Sequence, residues 1–309
     1  MATQQGSSAG GELKRFGWQA IELTVPADWE LVTTQGKYES GYVALADNEG
    51  VRLQLRWDSD AGKVDASEPA SRHIRLIRKA ARKAGTDAKV SRDLSLTSLR
   101  GKQIECYGWE ADGRGLGMVS RCEECKRIVH VVLLGAADGP LRKLARTVFS
   151  SLKDHPEDGR LLWKFFDLEF SSPDNLSLRR QALQTGCIQM VFAGRCAELA
   201  FERVSLAQVV LASKSLRQWV REFHASELKH WFLDISEAQV RGHPGLTMRG
   251  RPPLILNPGR LIGRPRELRL ACWHCPETNR LFVVRQTALR GRQEGFERAI
   301  EGLKCCPEG

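Results

Sequence analysis

Val51, Leu53, Leu55 and Trp57 alternate with Arg52, Gln54 and Arg56. That period of two puts one face of a β-strand in a core and the other in water. Ile21, Leu23 and Val25 alternate in the same way after Phe16-Gly17-Trp18, and Pro26-Ala27-Asp28-Trp29 then breaks the strand with a turn. Further strands are predicted around Gly41 to Asp47, Leu94 to Leu99, Gln103 to Trp109, Gly117 to Arg121 and Lys126 to Leu134. Two segments carry helical spacing instead. From Ser67 to Ala84, Ile74, Ile77, Ala81 and Ala84 form one stripe, with Ser67 as the N-cap, Pro69 in the first turn and Gly85 as the stop. From Pro140 to Leu152, Leu141, Leu144, Val148 and Leu152 share a face.

This order of elements recurs. Trp163 matches Trp18, Pro173 matches Pro26, and Gly186 and Gly194 match Gly41 and Gly50. Leu216, Trp219, Val220 and Phe223 repeat a helical stripe; Phe296, Ala299, Ile300 and Leu303 repeat the closing helix; and residues 247–251 match 98–102. The offsets stay between 144 and 155 residues. The pattern predicts a tandem duplication: a flexible stretch at 1–11, a first repeat at 12–153, a linker at 154–160 and a second repeat at 161–309. The expected fold class is α+β, two copies of an antiparallel sheet with two helices, related by pseudo-twofold symmetry. The opening strand, the P-x-x-W turn at Pro26 to Trp29 and the second strand resemble the PsbP-like group of small α/β/α sandwich domains. The resemblance covers about the first 60 residues of each half, and Pro173-Asp174-Asn175-Leu176 has Leu where the first copy has Trp. It implies a mostly non-catalytic binding protein.

Length agrees with duplication, since 309 residues suit two domains of about 150. No run approaches the ~18 apolar residues of a membrane span, and residues 1–11 lack the apolar core of a signal peptide. A cytoplasmic protein without a membrane partner is expected. Nine cysteines without a signal peptide then read as thiols or metal ligands and not as disulfides. Adjacent Cys305 and Cys306 receive no role. The net charge of +10 is uneven: residues 1–159 hold 24 Lys+Arg against 22 Asp+Glu, and residues 160–309 hold 23 against 15. A basic second half attracts polyanions.

The chemistry concentrates in two C-x-x-C pairs, Cys122-Glu123-Glu124-Cys125 and Cys272-Trp273-His274-Cys275. Each follows a short apolar stretch and precedes an Arg and a β-branched strand, which reads as strand, two-cysteine turn, strand. Zinc takes four thiolate or imidazole ligands at ~2.3 Å from sulfur, and one tight turn supplies two of them. The 146 residues between the pairs exceed any zinc ribbon. Duplicated halves packed about a twofold axis bring equivalent turns together, so Cys122, Cys125, Cys272 and Cys275 are expected to share one structural zinc. Two other readings stand: cysteines without a ligand role, and a dithiol oxidoreductase; His274 reads as a solvent-facing turn residue, with proton carrier or extra ligand as its alternatives. The oxidoreductase reading suits a helix N-terminus better than a hairpin.

Other features are weaker. Arg249-Gly250-Arg251-Pro252 and Gly263-Arg264-Pro265-Arg266 resemble the R-G-R-P core of AT-hooks, so Arg249, Arg251, Arg264 and Arg266 are the expected nucleic-acid contacts. Gly-Arg-Pro is also ordinary turn chemistry. The six cations on the Ser67–Ala84 helix form a solvated face or a polyanion contact. Gly113-Arg114-Gly115-Leu116-Gly117 reads as a hairpin turn, because no helix follows it. His130 reads as a strand-face histidine. The sequence thus points to a non-catalytic binding or scaffold protein with structural zinc and an unidentified protein partner; the alternatives are a nucleic-acid-binding protein and a dithiol oxidoreductase.

Overall fold

Strand alternation dominates even more than the pattern predicts. In the computed structural model, which describes residues 11–59, 65–135, 140–156, 158–252, 267–289 and 294–306, 51% of those residues are strand and 19% helix. The expected α+β class with two helices per copy is therefore corrected to a mostly antiparallel β architecture. Two compact units divide the chain, Met1–Pro156 with Lys164–Phe166, and Glu157–Trp163 with Asp167–Gly309.

The first unit opens with the hairpin β1 (Leu13–Trp18) and β2 (Ile21–Pro26), turned by Gln19 and Ala20 at positive φ. Then come β3 (Glu30–Gly36), β4 (Ser40–Ala46), β5 (Val51–Asp58), α1 (Ser67–Lys83), β6 (Lys89–Ser91), β7 (Lys102–Ala111), β8 (Gly113–Cys122), β9 (Ile128–Gly135) and α2 (Leu141–Ser150). The seven strands from β3 onward form one antiparallel sheet, ordered β3-β4-β5-β9-β8-β7-β6. Leu53, Leu55 and Trp57 of β5 are buried as their alternation predicts. Strand β3 is additional to the predicted set, and Leu94–Leu99 is not a strand. Helix α1 runs nearly as predicted, but Ser67 is its first residue and not its cap; Asp65 Oδ1 accepts from the Ser67 amide at 3.2 Å. The helix lays Ala70 and Ile74 on Tyr107, Val119 and Ile128 of the sheet.

The second unit, apart from Lys164 and Phe165, holds β10 (Arg160–Phe165), β11 (Leu168–Pro173), β12 (Ser177–Gln184), β13 (Cys187–Ala193), β14 (Ala197–Ser205), β15 (Phe232–Val240), β16 (His243–Arg251), β17 (Glu267–Cys275) and β18 (Arg280–Ala288). Its sheet is ordered β12-β13-β14-β18-β17-β16-β15, the same sequence of positions as in the first unit. In place of the 17-residue α1 stand three short helices, α3 (Ala207–Val210), α4 (Leu216–Phe223) and α5 (Ala225–Leu228). Ser215 starts α4 afresh by a capping box with Gln218, so one long helix does not form. The closing helix is α6 (Glu294–Gly302). In the second copy of the opening turn, Leu176 is buried where the first copy buries Trp29. Among the described residues, no helix is long and apolar enough to cross a membrane.

Candidate functional site

Strand register decides where the cysteines lie. Cys122 ends β8, and its amide donates to the carbonyl of Arg127 at 2.9 Å. Cys275 ends β17 opposite Arg280. Both hairpins turn over four residues and close on a left-handed residue, Lys126 in one and Asn279 in the other. Cys122 therefore corresponds to Cys275, at an offset of 153 residues. The two C-x-x-C motifs are offset by 150 and do not correspond. Cys125 sits in the first turn, but Cys272 lies inside β17, opposite Val283, three residues from the strand end. Along a strand, residues three apart face opposite sides, so Cys272 and Cys275 do not form a two-thiol turn. Cys272 is fully buried in the apolar core with Leu246, Met248, Leu270 and Val283.

Cys275 finds other partners. His243 begins β16, and Cys305 and Cys306 follow α6. One ligand atom from each of His243, Cys275, Cys305 and Cys306 lies within 4.8 Å of all the others. The Cys275 and Cys306 sulfurs are 3.7 Å apart, those of Cys305 and Cys306 are 3.6 Å apart, and His243 Nε2 is 3.1 Å from Cys306 Sγ. Around zinc, four ligands at ~2.3 Å make a tetrahedron with edges of ~3.8 Å. The sulfur spacings match that edge and far exceed a ~2.05 Å disulfide bond. Three thiols and an imidazole are also a recurrent structural zinc donor set. The tail after α6 is held in place by an antiparallel bridge from Lys304 to Glu169 and by Thr278 Oγ1, which donates to the Cys305 carbonyl at 3.3 Å.

The first unit builds its counterpart from different chemistry. Cys122, Cys125, Asp154 and His155 also bring ligand atoms within 4.8 Å of one another. Asp154 and His155 follow α2, next to a matching bridge from Lys153 to Glu22. Here Lys102, the β7 residue opposite Cys122, puts its ammonium 2.5 Å from Asp154 Oδ1. His155 Nδ1 approaches the same oxygen at 2.9 Å and Cys122 Sγ at 3.7 Å. A resident ammonium competes with a metal for that carboxylate. Arg127 runs beneath, almost fully buried, and donates to the carbonyls of Gln19, Tyr38 and Asp154.

Burial pushes Cys125 up to about 11, and burial and neighbouring sulfurs push Cys306 up as well. A dithiol nucleophile needs the opposite shift. Cys272 is raised by complete burial. Of the expected nucleic-acid residues, Arg249 and Arg251 are exposed, two apart on one face of β16; Arg264 and Arg266 lie outside the described residues. The Gly113–Gly117 stretch is only partly turn. Gly113 lies at its tip at positive φ, while Gly115 and Gly117 lie inside β8, where a Cβ would collide with the Trp109 and Tyr107 rings. Motif reading missed His243, Cys305, Cys306, Asp154 and His155. Matching the halves on Arg127 and Arg280 in place of the C-x-x-C pairs exposes the signal.

No family model matches the chain, and no curated protein matches its sequence. Among solved structures, the chain is similar to cyanobacterial PsbP (CyanoP) from Synechocystis sp. PCC 6803, at 16% identity and a TM-score of 0.34, over 50% of this chain and 100% of that one. It is similar to immunity protein TplEi of the T6SS from Pseudomonas aeruginosa in complex with "L" peptide, at 11% identity and a TM-score of 0.37, over 98% of this chain and 100% of that one. The apo form of TplEi gives 11% identity and a TM-score of 0.36, over 97% and 99%. At such TM-scores these likenesses say nothing of what this chain binds or does.

Proposed function

We propose that the chain is a non-catalytic binding or scaffold protein whose second unit is held together by one structural zinc on His243, Cys275, Cys305 and Cys306. The observation that carries this reading is the spacing of those four donors, close to the edges of a zinc tetrahedron. Four protein ligands leave no open coordination position, which suits a structural ion and not a hydrolytic one. The ion would tie the chain end after α6 to the tip of β17, and its binding energy would appear as folding energy.

Metal analysis of the purified chain tests this, with one zinc per chain expected. Cys275→Ser should release the zinc and Cys122→Ser should retain it. A zinc shared by Cys122, Cys125, Cys272 and Cys275 predicts loss in both variants. Absence of zinc from protein purified without chelator, or its retention in Cys275→Ser, overturns the reading.

A further inference from the structure

A cavity of about 510 Å³ opens beside α1 in the first unit, walled by α1 and by β4, β5 and β9. That volume falls within the ~300–1,000 Å³ of small-molecule sites. Its apolar wall includes Ile128, Val132 and the exposed Leu76. His73 from α1 and His130 from β9 line it, and Tyr107 joins them: its hydroxyl lies 2.5 Å from His73 Nδ1 and 2.7 Å from His130 Nε2. Gly117 permits this, because the Tyr107 ring lies over the place of the missing Cβ.

Proton counting fixes the polarity of the triad. The phenol has one hydrogen and gives it to one imidazole; the other imidazole must give its own N–H to the phenol oxygen. Burial lowers both histidines, helped by Arg56 at His73 and by His73 and Arg56 at His130, which falls to about 3; the site favours the neutral form of each ring. With each ring carrying one hydrogen, one of the two ring nitrogens turned from Tyr107 is a donor and the other an acceptor. The charged side chains lining the cavity are Arg56, Arg72 and Asp58, so its cations outnumber its carboxylate. Arg56 is exposed, stands over the Tyr42 ring at 5.2 Å, and has no carboxylate partner among the described residues. Among the described residues, Arg72 pairs with the exposed Glu68, at 3.4 Å.

We propose that this cavity binds a small organic carboxylate with an apolar body. The body would lie on Ile128, Val132 and Leu76, and the carboxylate would meet Arg56 and the imidazole donor. This site is independent of the zinc reading, since none of its residues belongs to either cysteine cluster.

The test is calorimetric titration of the full chain with phenylacetate, indole-3-acetate and 4-phenylbutyrate, alongside 4-phenylbutyramide and 4-phenylbutylamine. At least one carboxylate should bind saturably with Kd below about 1 mM. The amide should bind about tenfold more weakly, and the amine should not bind. Arg56→Gln, at an exposed position that leaves the fold intact, should weaken the carboxylate about tenfold; Arg142→Gln on α2 should not. Tyr107→Phe should weaken it too, by unlinking the imidazoles. Failure of all three carboxylates to bind at about 10 mM, equal binding of the amine, or an unchanged Kd in Arg56→Gln overturns the proposal.

Discussion

The two units place different residues at corresponding points of one sheet pattern. Arg56 pairs with His130 across β5 and β9, as Glu202 pairs with Val283 across β14 and β18. Gly117 pairs with Tyr107 across β8 and β7, as Leu270 pairs with Met248 across β17 and β16. In the second unit, Met248, Leu270 and Val283 pack with Trp219 and Val220 into a closed core. Glu202 is buried there, 3.5 Å from His224. In the first unit a glycine replaces the leucine, a tyrosine spreads into its space, and two histidines and an arginine line a cavity. Side-chain volume at one β8 position thus separates a packed face from an open one, because close-packed interiors transmit even single-residue changes in volume.

The strand-end corner diverges in charge. Lys102, Cys122, Asp154 and His155 stand where the second unit has His243, Cys275, Cys305 and Cys306. One corner is an ion-pair network, the other a thiol cluster.

Support beneath the corners offers the largest test. Arg127 donates to three backbone carbonyls with 2% of its surface exposed, whereas Arg280, its counterpart, pairs with the exposed Asp167. Arg127→Met should cost about 3 kcal/mol or more, since it strands buried carbonyls. Arg280→Met should cost about 1 kcal/mol or less. Equal shifts in denaturant midpoint would erase the distinction between the corners.

Acidification should separate the faces. His130 is held down to about 3 and His73 is lowered, so their neutral forms contribute stability above the unfolded value of 6.5. That contribution is lost as pH falls from about 7 towards 3. For His130 alone the loss between pH 7 and 5 is roughly 2 kcal/mol. In the second unit, His224 is lowered to about 4 and also loses stability on acidification, but Glu202, raised to about 7, regains it as it takes up its proton. Amide exchange in β9 should therefore accelerate between pH 7 and 5, after correction for intrinsic rates, more than in β18. The reverse order would contradict this account of the buried groups.

The smallest effect concerns Cys272, whose counterpart is Val119: both face the residue three positions after the matching arginine, Val283 after Arg280 and His130 after Arg127. Cys272→Val should change stability by less than about 1.5 kcal/mol and leave zinc content intact. Zinc loss in that variant would restore Cys272 to a ligand role.

Period-two alternation, the helix stripes at 67–84 and 141–152, and the repeated order of elements are local properties, and the sequence alone determined them. Backbone geometry sets the period and burial sets its phase, so each can be read without knowing what packs where. Three things needed the tertiary structure. The split of the second copy's helix depended on Ser215 capping a new start. The partners of Cys275 are 30 and 31 residues away in Cys305 and Cys306 and 32 residues away in His243, and only the hairpin register and the tail after α6 bring them together. The match between halves had to be made on turn geometry, since a three-residue shift turned one C-x-x-C from a turn into a strand and sent Cys272 into the core. A motif records spacing along the chain, whereas ligation requires convergence in space, and convergence is decided by strand register and packing.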